Sequence, residues 1–130
     1  MKFSYKFIVD PANELLICEA FGEAREIVDL EHMLKTIVKT AGKNQIKNIV
    51  LDSTEFELLC CNTEITQLMI TIKENGWLGE LKVAMIVNPQ RTRQNVIEGM
   101  AKKLSLSIKN FETRSEAMLW LLFDKEREER

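Results

Sequence analysis

The stretch that most constrains the fold is residues 46–75, IKNIVLDSTEFELLCCNTEITQLMITIKEN. A short apolar run, Ile46–Leu51, stops at Asp52, and a new apolar period opens at Ile65. Little alternation marks the end of the first run, which suits a strand covered on both faces. Ile65, Leu68, Met69 and Ile72 fall at i, i+3, i+4 and i+7, the spacing of one helix face. The residues between the two read as an irregular loop. A buried strand, a loop and an amphipathic helix in succession predict a parallel α/β sheet, whose ligands and partners meet the carboxyl ends of the strands. Asn62 is the expected N-cap of the helix and Gly76 its stop.

The flanking chain extends the pattern. Phe3, Tyr5, Phe7 and Val9 alternate with Ser4 and Lys6, which predicts a half-buried strand. Asp10–Asn13 (DPAN) is a turn, residues 14–21 form a second strand, and Gly22 closes this antiparallel hairpin. Asp29 is placed to cap a helix that runs to about Ala41, with Gly42 and Asn44 as the stop. His32 falls off its apolar stripe and reads as a surface residue. Leu81–Val87 is a fourth strand, and Asn88–Pro89 is expected to start a third helix. Gly99 inside that helix suggests close packing on a neighbour. Arg91 and Arg93 in its first turn would oppose the helix dipole, a hint of a nearby anion weighed against simple exposure. Residues 106–111 are a short fifth strand, and Thr113 with Glu116 forms a capping box for a last helix. Ala117, Trp120 and Leu121 mark that helix's inner face, with Leu119 and Leu122 broadening it. The predicted core includes Ile49, Leu51, Leu68, Met69, Val83, Ile86, Ile97 and Trp120. The order is β-β-α-β-α-β-α-β-α: one α/β domain over residues 3–122, a five-stranded mixed sheet with four helices, and a charged tail at 123–130.

Composition narrows the function classes. Eighteen basic and twenty acidic side chains leave a net charge of −2, which offers no global field for nucleic acid or an anionic membrane. No stretch approaches a membrane span, and the alternating N-terminus is no signal peptide. The three cysteines, Cys18, Cys60 and Cys61, lack metal-ligand spacing, and His32 stands alone. The expectation is a reduced, cytoplasmic protein with no metal site and no cofactor. Phosphate-binding glycine loops, paired acid–base carboxylates and catalytic triads are missing, so no catalytic residues are assigned and the protein reads as a non-enzyme, with a thiol-dependent activity as the one enzymatic alternative.

The order of elements, the strand that ends in NIVLDST, the VAMIVNP strand, and Phe111 followed by SEAMLWLL resemble the STAS domain, in particular the small stand-alone bacterial proteins similar to anti-sigma factor antagonists. The resemblance implies a regulatory, non-catalytic module that contacts a protein partner through the loop between strand three and helix two. In the antagonist branch a kinase phosphorylates the serine of an Asp-Ser pair in that loop. Laid over this chain, the pair falls on Cys60 and Cys61, so the phosphorylatable serine is missing, and so is the small glycine-containing sequence that follows it. The expected partner or ligand loop comprises Asp52, Ser53, Phe56, Leu58, Leu59, Cys60, Cys61 and Asn62. Phe56, Leu58 and Leu59 either fold back as core or line a contact face. Cys60 and Cys61 are either packing residues or a reactive thiol site at a helix start. The alternative function is a carrier of a small apolar or lipid-like ligand, because some STAS-like proteins resemble the CRAL-TRIO lipid-binding fold and six methionines suit an adaptable cavity. A homodimer is compatible with either function.

Overall fold

The structure is a computed structural model that describes residues 2–90 and 93–123. Arg91 and most of the expected charged tail lie outside the described residues. The elements are β1 (Ser4–Asp10), β2 (Leu15–Ala24), α1 (Ile27–Lys43), β3 (Asn48–Leu58), α2 (Asn62–Asn75), β4 (Lys82–Ile86), α3 (Gln94–Leu104), β5 (Ile108–Phe111) and α4 (Arg114–Phe123). The strands lie in one sheet in the order β1-β2-β3-β4-β5. β1 is antiparallel to β2, and the other neighbours are parallel. This is the expected five-stranded mixed sheet with four helices, and the Ile46–Leu51 region contributes to its central strand.

The topology dictates the layers. Three successive β-α-β crossovers step in the same direction across the sheet, and right-handed connections then put α1, α2 and α3 on one face. Only α4, which follows the last strand, is free to take the other. The core divides accordingly. Leu16, Cys18, Ile49, Leu51, Val83 and Met85 pack under the three-helix layer. Leu15, Val50, Ala84 and Ile86, the alternate residues of the same strands, pack against Ala117 and Leu121 of α4. Of the predicted core, Ile49, Leu51, Met69, Val83 and Ile86 are buried, whereas Leu68, Ile97 and Trp120 are half-buried at its margin.

Several boundaries differ from expectation, each for a local reason. β2 does not end at Gly22, which lies inside the strand at φ 84° opposite Phe56. α1 starts at Ile27 after Glu26, so Asp29 sits in its first turn instead of capping it, still favourable to the dipole. Its end is set by Gln45 at φ 56°, where Ile46 N–H reaches back to the Ala41 carbonyl at 2.9 Å. α2 does end at Gly76, whose left-handed backbone (φ 59°) lets the following N–H of Trp77 bond the Ile72 carbonyl at 3.2 Å. Asn88 accepts the Gln90 N–H at 3.0 Å and closes a turn, and α3 begins only at Gln94. A Cβ on Gly99 would meet nothing within 4 Å, so this glycine faces open space and not a neighbouring element. Half of the expected Thr113 capping box forms: Glu116 N–H donates to Thr113 Oγ1 at 3.2 Å, while the Glu116 carboxylate accepts from the Thr113 hydroxyl at 3.1 Å and not from its backbone N–H. Leu119 faces solvent and does not broaden the inner face of α4.

Candidate functional site

The main correction concerns the expected loop. Asp52–Leu58 is strand, not loop: β3 runs eleven residues, from Asn48 to Leu58. Up to Asp52 it pairs with β2 on one side and β4 on the other. Its register against β2 then shifts, with Glu19 opposite Asp52 but Phe21 opposite Glu55. The extra residue at Ser53–Thr54 is a bulge, which reverses the inside–outside phase of the strand. Ile49 and Leu51 point under the helices before it, and Phe56 and Leu58 do so after it.

β4 ends at Ile86, so the second half of β3 overhangs it. The carbonyls this exposes need partners, and the start of α3 supplies a donor to one in β3 and to one in the turn after it. Gln94, 1% exposed, donates from Nε2 to the Phe56 carbonyl at 3.4 Å. The Arg93 guanidinium donates to the Cys60 carbonyl. Ser53 Oγ, also buried, donates to the Ile86 carbonyl at 2.8 Å and ties the bulge to the end of β4. Arg93, expected to mark a nearby anion or simple exposure, bonds a backbone carbonyl of the β3–α2 turn instead. Gln94 is a structural part of the site that the sequence pattern did not single out, and only its position just after a strand end could have drawn attention to it.

The eight expected site residues therefore separate. Phe56, Leu58 and Cys60 are core. The Cys60 thiol donates to the Ala24 carbonyl at 3.6 Å, and burial pushes its pKa up, helped by the nearby Glu64. Leu59 is half-buried, its N–H bonded to the Ala24 carbonyl at 2.8 Å. Asp52 lies on the opposite, α4-bearing face of the sheet. It accepts from Thr54 N–H at 3.1 Å, Thr54 Oγ1 at 2.8 Å and Arg114 Nη2 at 3.2 Å. Its partial burial would raise its pKa, but the Thr54 hydrogen bonds and the Arg114 guanidinium outweigh that and hold it below the ordinary carboxylate value. Arg114 also binds Glu19 at 3.0 Å, so this polar cluster joins α4 to β2 and β3. Cys61 and Asn62 are exposed at the start of α2. Cys61, not Asn62, is the N-cap: its backbone is extended (φ −72°, ψ 157°) and its carbonyl accepts the Ile65 N–H at 3.1 Å. Its thiol caps no backbone N–H and instead donates to Glu64 Oε1 at 3.4 Å.

What remains open at the carboxyl ends of β2 and β3 is the paired starts of α1 and α2. Between them runs a groove of about 250 Å³, lined by Ile27, Val28 and Glu31 on one side and Glu64, Gln67, Leu68 and Thr71 on the other. Val28 is 60% exposed, an uncovered β-branched side chain in a helix. The rim is acidic, with Glu31 and Glu64 in the lining and Asp29 in the first turn of α1. Leu68 also borders an apolar crevice of about 80 Å³ beneath α1, α2 and α3, which Met33, Met69 and Met85 help to line. That is smaller than the roughly 150 Å³ cavity that admits benzene. Among the described residues no group of three or more His, Cys, Asp or Glu side chains is placed to hold a metal ion. No helix among them is long and apolar enough to cross a membrane.

No protein-family model matches the sequence, and no curated protein matches it significantly. Among solved structures, the chain is similar to an anti-sigma factor antagonist from Mycobacterium paratuberculosis. The two share 13% sequence identity and superpose with a TM-score of 0.60 over 92% of this chain and 94% of that one. The order of elements, the mixed five-stranded sheet and this superposition agree: the chain is folded as a STAS-like domain, with the fold of an anti-sigma factor antagonist.

Proposed function

We propose that this protein is a non-catalytic regulatory module of STAS type that binds a protein partner at the β3–α2 turn and the adjoining α1–α2 groove. The observation that carries this is the exposed Val28 in an open groove at the carboxyl ends of β2 and β3, where sheets of this class meet their ligands. An apolar anchor within an acidic rim fits a partner segment that offers an apolar side chain flanked by basic ones. Cys61, at the exposed N-cap of α2, takes the place in which the antagonist branch carries its phosphorylated serine. Control by serine phosphorylation is therefore absent at that position, and binding is constitutive or governed by the partner. The crevice beneath the helices is too small for a lipid chain and does not favour the carrier function.

The test is affinity capture from the native lysate with the parent chain, Val28→Asp and a control, Lys102→Glu, on the exposed side of α3. A partner retained by parent and control and lost with Val28→Asp is the expected result. Equal recovery by all three would remove the groove from the interface.

A further inference from the structure

The sheet has two edges, and they are finished differently. β5 is four residues long. β1 is seven residues long, with no proline or bulge within Ser4–Asp10, and among the described residues no strand pairs with its outer edge. Its C-terminal half carries Ile8 and Val9, 43% and 41% exposed, one on each face of the sheet. A strand edge unpaired among the described residues, without proline or bulge and with apolar side chains on both faces, is a template for another strand.

We propose that a second copy of this chain pairs with that edge, β1 against β1 antiparallel about a two-fold axis at Ile8, joining two sheets into one of ten strands. Antiparallel partners share a face, so the two-fold permits only registers in which the paired residue numbers have an even sum. Centring on Lys6 sets two ammonium groups face to face. Centring on Tyr5 pairs only Ser4 with Lys6 beside it within the strand, centring on Phe7 sets Lys6 against Ile8 of the other copy, and centring on Val9 sets Ile8 against Asp10. Centring on Ile8 places Ile8 on Ile8, Val9 on Phe7 and Lys6 on Asp10, so every close pair is apolar with apolar or basic with acidic. The two charged groups are available for this. Lys6 lies 3.4 Å from Glu19, on the β2 side, with its side chain 63% exposed. Asp10 accepts from Asn13 N–H at 3.3 Å and Asn13 Nδ2 at 3.0 Å and keeps lone pairs for a further donor. This surface is separate from the α1–α2 groove, so the dimer and the partner interaction stand or fall independently.

Sedimentation velocity on the full chain tests it with two charge reversals. The parent is expected to sediment as two chains. Lys6→Asp opposes one carboxylate with another, and Asp10→Lys opposes one ammonium with another, so each variant alone is expected to sediment as one chain. In their equimolar mixture, both cross-strand pairs between unlike chains again set an acidic side chain against a basic one, and the mixture is expected to return to two chains. A variant that merely damaged the fold could not be rescued in this way. A monomeric parent overturns the proposal. Variants that stay dimeric, or a mixture that stays monomeric, place any association elsewhere and overturn it as well.

Discussion

Truncating Phe56 to alanine distinguishes core from contact face at the centre of the expected site. Phe56 is 3% exposed and its ring centroid lies 5.4 Å from that of Phe3. Removing a buried phenylalanine costs about 3–5 kcal/mol, the lost transfer energy plus the cavity. The backbone here cannot collapse into that cavity, because β2 holds one side of Phe56 and Gln94 holds its carbonyl. Phe3 is half-buried near the chain start and can partly fill the gap, which favours the lower half of the range, about 3–4 kcal/mol. With a urea slope of about 2 kcal/mol/M, the midpoint falls by roughly 1.5–2 M. Urea unfolding followed by the fluorescence of Trp77 and Trp120 measures this directly. Val28→Ala, at a 60% exposed position, serves as the control and should move stability by no more than about 0.5 kcal/mol. A loss below about 1 kcal/mol for Phe56→Ala would refute the strand assignment of residues 53–58 and return Phe56 to a surface loop.

Four further outcomes follow from the geometry. Gln94→Ala and Gln94→Met both strand the Phe56 carbonyl and both remove Gln94 Oε1, a buried acceptor with no partner among the described residues, but only alanine opens a cavity, so by urea unfolding the alanine variant should lose about 2–4 kcal/mol and the methionine variant about 1–2 kcal/mol. Gly99→Ala should raise stability by roughly 0.5–1 kcal/mol in the same assay, since the helix gains propensity and the new methyl meets nothing. Asp52 has a folded-state pKa below its unfolded value of 3.8, so its pairing stabilises fully above that value and the benefit is lost as pH falls through the folded-state pKa; unfolding measured against pH should show a flatter acid limb in Arg114→Ala than in the parent. Thiol labelling of the native protein should modify Cys61 alone, with Cys18 and Cys60 reacting only on unfolding, because both are buried and burial, aided by Glu19, pushes the Cys18 thiol to about 12; fast native labelling of Cys60 would contradict its place in the core.

The element order, the central position of β3 and the Gly76 stop were legible in the sequence because each rests on a local pattern: an apolar run, a helical period, a residue at ease with positive φ. The second half of β3 was not. Phe56 and Leu58 do alternate with Glu55 and Glu57, a period-two signal in its own right. The bulge at Ser53–Thr54 places that signal out of phase with Ile49 and Leu51, and the strand then reads as a strand followed by a loop. The clamp by Arg93 and Gln94 was hidden for another reason. It bridges 33 to 38 positions in the chain, and its need arises only because β4 is shorter than β3. The groove around Val28 is likewise a product of two helix starts that only the sheet brings side by side.

Amide hydrogen exchange of the chain, free and in complex with the captured partner, tests the central claim most directly. In the free protein the amides of residues 55–58 that face β2 should be protected as strand. Partner binding should then slow exchange in the first turns of α1 and α2, residues 27–31 and 61–68, and leave the Asp52–Arg114 face unchanged. New protection confined to the sheet face around Glu19, Asp52 and Arg114, with none in those two helix starts, would contradict it.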